Sequence, residues 1–560
     1  MNISRRDFLK GSLAGAAAVA ATSVIGVSAF ADDAADDAVV VPEGLTEAEV
    51  KDSVVELGAI TPDEEVTCDI VVVGAGAAGT AAACYAAELG ADVALLQKES
   101  IPVSQGGSGS CILLDESTPR GVENWIQLTN DLCDWRCDRR LLRAYAQNSE
   151  EAVRFMLKCA GLSEENEWTD GNITATIRKT ELKDTYLDRY DYYDFGEEKV
   201  TIMNANIGPK PKNVGTYVTT ILNNETEKLS NLKVYYSTPA VQLVQDGAKV
   251  VGVIGKDKDG KYIKFNAKKV ILATGDYQNN DAMVNRWCPD VADFDKKQYH
   301  KTGDGHIMAI AAGAKMENLG HTKMMHDFDS GLMFEEPFLY VNMEGKRFTN
   351  EDIQFVYVSN VLKYESAFNG GKNIDANHPN GSKGWYVEIF DNDYPNYANS
   401  PVPAESLERF FPEGEAPVGV IDYLRDTYRA DTLEELAEKV GVPADALKET
   451  VERYNELCDA GHDDDYGKNP KYMNKIQTAP FWGIRKHIRV SAIVSGININ
   501  ENGQALNGDG EPIENLYAVG NLGGPFYGGN DYPMHQAGLS LGRCYTFGMI
   551  AAKHALGKME

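Results

Sequence analysis

The feature that most constrains this chain is a glycine turn set between a strand and a helix. Asp69 to Val73 (DIVVV) reads as a short apolar strand. Gly74, Ala75, Gly76, Ala77, Ala78 and Gly79 follow as G-x-G-x-x-G, and Thr80 to Leu89 reads as an alanine-rich helix. Ala91 to Leu96 reads as a second strand, which completes a β-α-β unit. In that setting each glycine has a task. Gly74 permits the tight turn, Gly76 lets backbone approach a diphosphate, and Gly79 allows the helix to pack closely on the strand. The helix N-terminus adds free N–H groups and a positive dipole end. The residue closing the second strand ordinarily accepts ribose hydroxyls with a carboxylate. Here it is Gln97, followed by Lys98. An amide accepts without charge, and Glu99 should point to the other side.

Three later segments decide which dinucleotide is bound. Gly106, Gly107, Ser108, Gly109 and Ser110 form a loop of small residues. Lys269 to Asp276 (KVILATGD) is an apolar strand ending in Ala273, Thr274 and Gly275. Leu516 to Gly524 (LYAVGNLGG) is a late strand and glycine turn carrying Gly520 and Asn521. A plain nicotinamide domain closes within roughly one domain length. A chain that returns to its cofactor after hundreds of residues suits FAD, held by a domain with another inserted in it.

The ends and the composition narrow the class further. Ser4, Arg5, Arg6, Asp7, Phe8, Leu9 and Lys10 form a twin-arginine export signal, an apolar stretch runs from Leu13 to Phe30, and Ala29, Phe30 and Ala31 make a cleavage site. This predicts a signal peptide over 1–31 and a periplasmic or cell-surface location. Asp32 to Glu65 is acidic and reads as a linker over 32–65. A net charge of −30 argues against nucleic acid as a partner. Hydrophobic residues make up 43% of the chain, enough for large buried cores. The nine cysteines form no C-x-x-C and no C-x-x-C-H, and Cys133 and Cys137 sit four apart on a predicted helix. No metal and no attached haem are expected. Electrons must arrive from a separate donor, a cytochrome, a flavoprotein or a membrane quinol system.

With these motifs in view, the chain resembles the flavoprotein superfamily of fumarate reductase, succinate dehydrogenase and 3-oxosteroid dehydrogenase. The likeness is carried by VVVGAGAAG, QGGSGS, ILATGD, TGDGHIMAIAAGA (Thr302 to Ala314), LYVNMEGKRFTNE (Leu339 to Glu351) and LYAVGN. It implies an α/β fold: a Rossmann-like FAD-binding domain in two pieces, 66–322 and 488–560, with an inserted α+β capping domain over 323–487. Within the cap, Thr432 and Glu435 form a capping box for a helix to Val440, and Pro443 opens a second helix to Leu457. The resemblance also implies non-covalent FAD. Lys98, Ala240, Asp304, Ser540 and Leu541 join the motif residues already named as expected cofactor contacts.

The branch within that superfamily follows from departures. Fumarate reductases grip a dicarboxylate with arginines and histidines and donate a proton from an arginine shortly after R-F-x-N-E. Here that motif is Arg347 to Glu351, and the donor position falls on Phe355. The stretch that would hold a histidine pair reads SAIVSGIN, Ser491 to Asn498. Asn521 stands where fumarate reductases carry glutamate, and Tyr532 and Pro533 precede T-F-G at Thr546 to Gly548, which leans toward the steroid branch. In that branch such a tyrosine hydrogen-bonds the substrate carbonyl. Tyr532, His535, Tyr357 and Arg347 are therefore the candidate catalytic residues. His300 and His306 read as structural, and the tyrosine-rich run Asp184 to Gly196 reads as an aromatic wall or a surface loop.

The implied function is an exported FAD-dependent ene-reductase, or the reverse dehydrogenase, passing hydride between flavin N5 and an activated carbon–carbon double bond. Fumarate is disfavoured; an enone or steroid-like small molecule is favoured. The alternatives are a flavin oxidase of the L-aspartate oxidase type and a non-catalytic flavin electron-transfer protein.

Overall fold

The computed structural model describes residues 41–162, 168–170, 173–182, 195–209, 217–318, 320–327, 330, 336–365, 385–398 and 426–559. The export signal and most of the tyrosine-rich run lie outside them.

An eight-stranded sheet organises the larger lobe. Its elements are β1 (Glu64–Val73), α1 (Ala77–Glu88), β2 (Val93–Leu96), β3 (Leu232–Tyr235), β4 (Ala240–Asp246), β5 (Lys249–Lys256), β6 (Tyr262–Leu272), β7 (Gln504–Leu506), β8 (Pro512–Ala518) and α2 (Leu539–Ala555). The strand order is β7-β8-β6-β1-β2-β3, with β4 and β5 added as an antiparallel extension from β6. Ile70 to Val73 are all buried, as a parallel strand covered on both faces requires.

Register explains why motifs far apart in sequence meet. β1 and β6 run parallel with Val73 opposite Leu272, and β6 runs parallel to β8 with Leu272 opposite Ala518. The Gly74 turn, the Ala273–Gly275 turn and the Gly520 turn therefore leave the sheet side by side at its carboxyl edge, where open α/β sheets bind ligands. Gly74 takes φ of 101°, and a Cβ there would stand 2.6 Å from the Ala273 carbonyl oxygen.

A second, smaller core gathers residues between Phe338 and Ile484. Strands Leu339–Val341, Trp385–Phe390, Phe481–His487 and Thr427–Ala430 form an antiparallel sheet in that order. Helices Leu433–Val440 and Ala444–Ala460 accompany it; Leu436, Ala437, Val440, Leu447 and Val451 bury against Trp482 and Ile484. Thr432 caps the first helix by accepting the Glu435 N–H, which is one half of the capping box expected there. Lys323–His326 pairs antiparallel with Arg489–Ile493.

Three local expectations are corrected. The acidic segment is folded from Val41 onward. Thr46 and Glu49 close a capping box on a helix over Glu47–Lys51, and Glu49 is buried against Arg286 and Trp287. Cys133 and Cys137 do not share a helix, because Pro119–Leu132 ends at Cys133 and Asp134 and Trp135 turn left-handed. The small-residue loop is a loop only to Gly107, since Ser108–Leu113 is a strand.

Candidate functional site

At the carboxyl edge of the sheet lies a cavity of about 750 Å³. That size suits a large cofactor with a substrate beside it. Of the residues expected at the cofactor, Gly74, Ala75, Gly76, Ala78, Gln97, Lys98, Gly106, Gly107, Ser108, Ala240, Ala273, Thr274, Gly275, Asp304, Gly520, Asn521, Ser540 and Leu541 line it. Three do not. Gly79 packs α1 on the turn: a Cβ there would sit 1.8 Å from the Gly74 carbonyl oxygen. Gly109 makes room for Tyr545, whose ring a Cβ would meet at 2.2 Å. Ser110 is buried and accepts from Gln536 Nε2 at 2.8 Å. Small residues serve close packing as readily as they serve a cradle.

The polar groups are held in place before any ligand arrives. Gln97 Oε1 accepts the Ala75 N–H at 3.1 Å and its Nε2 donates to the Ile101 carbonyl at 2.9 Å, so the amide oxygen faces the glycine turn. Lys98 pairs with Asp304 at 2.9 Å, and Asp304 also accepts the Val54 N–H at 3.2 Å. The N-terminal segment is thereby tied to the cavity wall. Gly76 has ordinary extended backbone, and a Cβ there would meet only the Val103 carbonyl oxygen at 3.3 Å. Its open side faces the cavity. The turn, the helix N-terminus and the cavity together fit FAD.

The predicted catalytic residues separate. Tyr532 lines the cavity. Its hydroxyl accepts the Ser540 N–H at 3.0 Å in the first turn of α2, and its ring meets Tyr527 edge-on at 5.0 Å. Burial holds the hydroxyl above its ordinary pKa. His535 is buried away from the wall, with Nε2 2.9 Å from the Thr129 hydroxyl, and burial pushes its pKa down to about 3. Arg347 lies in the insert. It clamps Glu351 and Asp463, each at 2.7 Å, and stacks on Tyr466. Burial alone would raise Asp463, but Arg347 brings it down to about 2. Tyr357 lies beside Phe355 in a short 3-10 turn and is not on the wall. His300 lines the cavity mouth, whereas His306 is buried, edge-on to Tyr277, with its pKa pushed down to about 3 by burial.

Other residues share the cavity wall. His326, which the resemblance matches to a family histidine, and Ser491, which opens the SAIVSGIN stretch, join Tyr532 there with Met324 and Met534, and Phe355 packs behind His326 with ring centroids 6.3 Å apart. Gln105 links three parts of the chain: its Nε2 donates to the Ser491 carbonyl at 2.7 Å and its Oε1 accepts from Asn521 at 2.9 Å. Lys301 lines the cavity directly ahead of the T-G-D-G motif. Among the described residues the wall carries no arginine.

Comparison with known proteins agrees with this geometry. A match to the FAD binding domain family spans residues 69–533, and a match to the twin-arginine translocation pathway signal spans residues 2–22. The chain is 28% identical over 532 residues to the vinyl phenol reductase of Lactiplantibacillus plantarum, covering 87% of this chain and 96% of that protein. It is 26% identical over 504 residues to the urocanate reductase of Eggerthella lenta, covering 87% and 74%. Among solved structures, the 3-ketosteroid delta1-dehydrogenase of Sterolibacterium denitrificans superposes with a TM-score of 0.64 at 20% identity, covering 88% of this chain and all of that one. That likeness shows the shared fold.

Proposed function

The chain belongs to the FAD binding domain family, and on that premise we propose that it is an exported ene-reductase, or the reverse dehydrogenase, of an activated alkene that lacks paired carboxylates. The observation that carries this reading is Tyr532, a buried phenol on the wall of a cavity that, among the described residues, is lined by no arginine. A dicarboxylate calls for guanidinium partners, and the position that would donate a proton to fumarate is Phe355. The relatives named for vinyl phenol and urocanate reduction support an alkene conjugated to a ring or carbonyl.

FAD, when bound, supplies the hydride to such an alkene. The protein's part is polarisation, proton delivery and exclusion of water. Tyr532 already accepts the Ser540 N–H from the positive end of α2, which makes its own O–H a better donor. That donor polarises a carbonyl or phenol-conjugated alkene and stabilises the charge that develops. His326 is the second candidate donor on the wall. The insert over 323–487 acts as the cap that excludes water, and a separate carrier delivers electrons.

The test is to reduce the purified protein anaerobically and mix it with enones, vinyl phenols, urocanate and fumarate. Reoxidation of the flavin by a conjugated alkene, with fumarate far slower, is expected. Fumarate reoxidising it as fast as the best alkene overturns the reading.

A further inference from the structure

Lys301 is half-buried and lines the cavity. Its Nζ lies 3.2 Å from where a Gly275 Cβ would stand. Gly275 belongs to the turn leaving β6, and that turn touches the phosphate-type turn of β1: a Gly74 Cβ would stand 3.2 Å from Thr274 Cα. The ammonium is therefore held beside the Gly275 turn, which itself touches the Gly74 turn at the carboxyl edge of the sheet.

Its charge is not used within the protein. Among the described residues, Lys301 hydrogen-bonds only through its backbone, its N–H donating to Asn279 Oδ1 and its carbonyl accepting the Asn279 N–H. The neighbouring Lys98 is different, spending its charge on Asp304 at 2.9 Å and on Thr302 at 3.1 Å. Asp276 is the strongest influence of opposite sign, but its oxygens already accept from Gln278 and the Ile493 N–H. Burial pulls Lys301 below the ordinary lysine value while Asp276 pushes it back. A ligand that fills the cavity takes this ammonium out of water, and an ammonium so desolvated is unfavourable without a contacting anion, so its position points to a ligand that carries one. The glycine turn and the N-terminus of α1 offer a diphosphate N–H groups but only about half a positive charge.

We propose that Lys301 is a cofactor-binding residue whose ammonium pairs with the diphosphate of FAD. The proposal rests on FAD binding alone and not on the identity of the substrate.

Lys301→Met removes the charge and keeps the length. Apoprotein of both forms is titrated with FAD by fluorescence quenching at low and high salt, and with ADP and adenosine by calorimetry. Expected for the variant are ten- to hundredfold weaker binding of FAD and ADP, a shallower salt dependence, unchanged binding of adenosine and an unchanged apoprotein melting curve. Lys301→Arg should recover most of the FAD affinity. FAD and ADP affinities within twofold of wild type overturn the proposal. So does an equal loss for adenosine, which would place the ammonium on the nucleoside. A loss for FAD without one for ADP, or an apoprotein that unfolds, overturns it as well.

Discussion

Two glycines three residues apart separate holding the cofactor from holding the fold. Gly76 has φ of −79° and ψ of −167°, backbone that alanine adopts freely, and a methyl there meets only the Val103 carbonyl oxygen at 3.3 Å. The fold should lose about 1 kcal/mol, the scale of an N-cap change. The methyl instead projects into the space where backbone and diphosphate must meet. Gly79→Ala is the reverse case. Its methyl would lie 1.8 Å from the Gly74 oxygen, where contacts under 3.0 Å are essentially unknown. The turn and α1 must part by more than an ångström, and overpacking of that kind costs about 1–3 kcal/mol. Both variants are compared as apoproteins, because bound FAD would itself add stability. Urea unfolding reads the fold and fluorescence titration reads the cofactor. Gly76→Ala should unfold close to wild type and bind FAD at least tenfold more weakly, a loss of about 1.4 kcal/mol. Gly79→Ala should unfold at clearly lower urea. Wild-type FAD affinity in the first variant, or a wild-type midpoint in the second, refutes the reasoning.

Tyr532→Phe should cut turnover of the best alkene by about 10²–10³ with an unchanged flavin spectrum, and cost about 1 kcal/mol because Ser540 loses its acceptor; full turnover would pass the role to His326. Arg347→Met should destabilise the insert by about 3–5 kcal/mol, since it strands Glu351 and Asp463; limited proteolysis reads this, and FAD affinity should not change. Burial raises Glu317 from 4.5 to about 7, so between those values the folded chain keeps a proton that the unfolded chain has lost. Stability from that site falls as pH rises through the window, by at most about 1.4 kcal/mol per unit. Glu317→Gln keeps an acceptor for the Gly496 N–H and should flatten that slope between about pH 5 and about pH 8; an unchanged slope in urea unfolding refutes it.

What could be read from sequence was local or strictly patterned. The β1 turn and α1 are contiguous, and ILATGD and LYAVGN end apolar strands whose parallel pairing returns them to the same edge. Gly109 and Ser110 were misplaced because tolerance for a cofactor and tolerance for Tyr545 demand the same small side chains. His535 could not be oriented, since only the tertiary fold turns it onto Thr129 and Trp125. The acidic look of residues 41–65 hid Glu49, whose partner Arg286 is more than two hundred positions away. Gln105 opens the QGGSGS run and Lys301 precedes T-G-D-G, but what their side chains do is set by the strands and turns brought against them.

The pairing of Lys323–His326 with Arg489–Ile493 also frees the stretch between them from a constraint of length. Lys323 sits opposite Ile493 and His326 opposite Arg489, so the outgoing and returning chains lie about 5 Å apart. A two-residue turn spans that gap. The intervening chain leaves and re-enters at one point, so what fixes its extent is the packing of Phe355, Val358 and Leu362 into the main core and not the distance its ends must bridge.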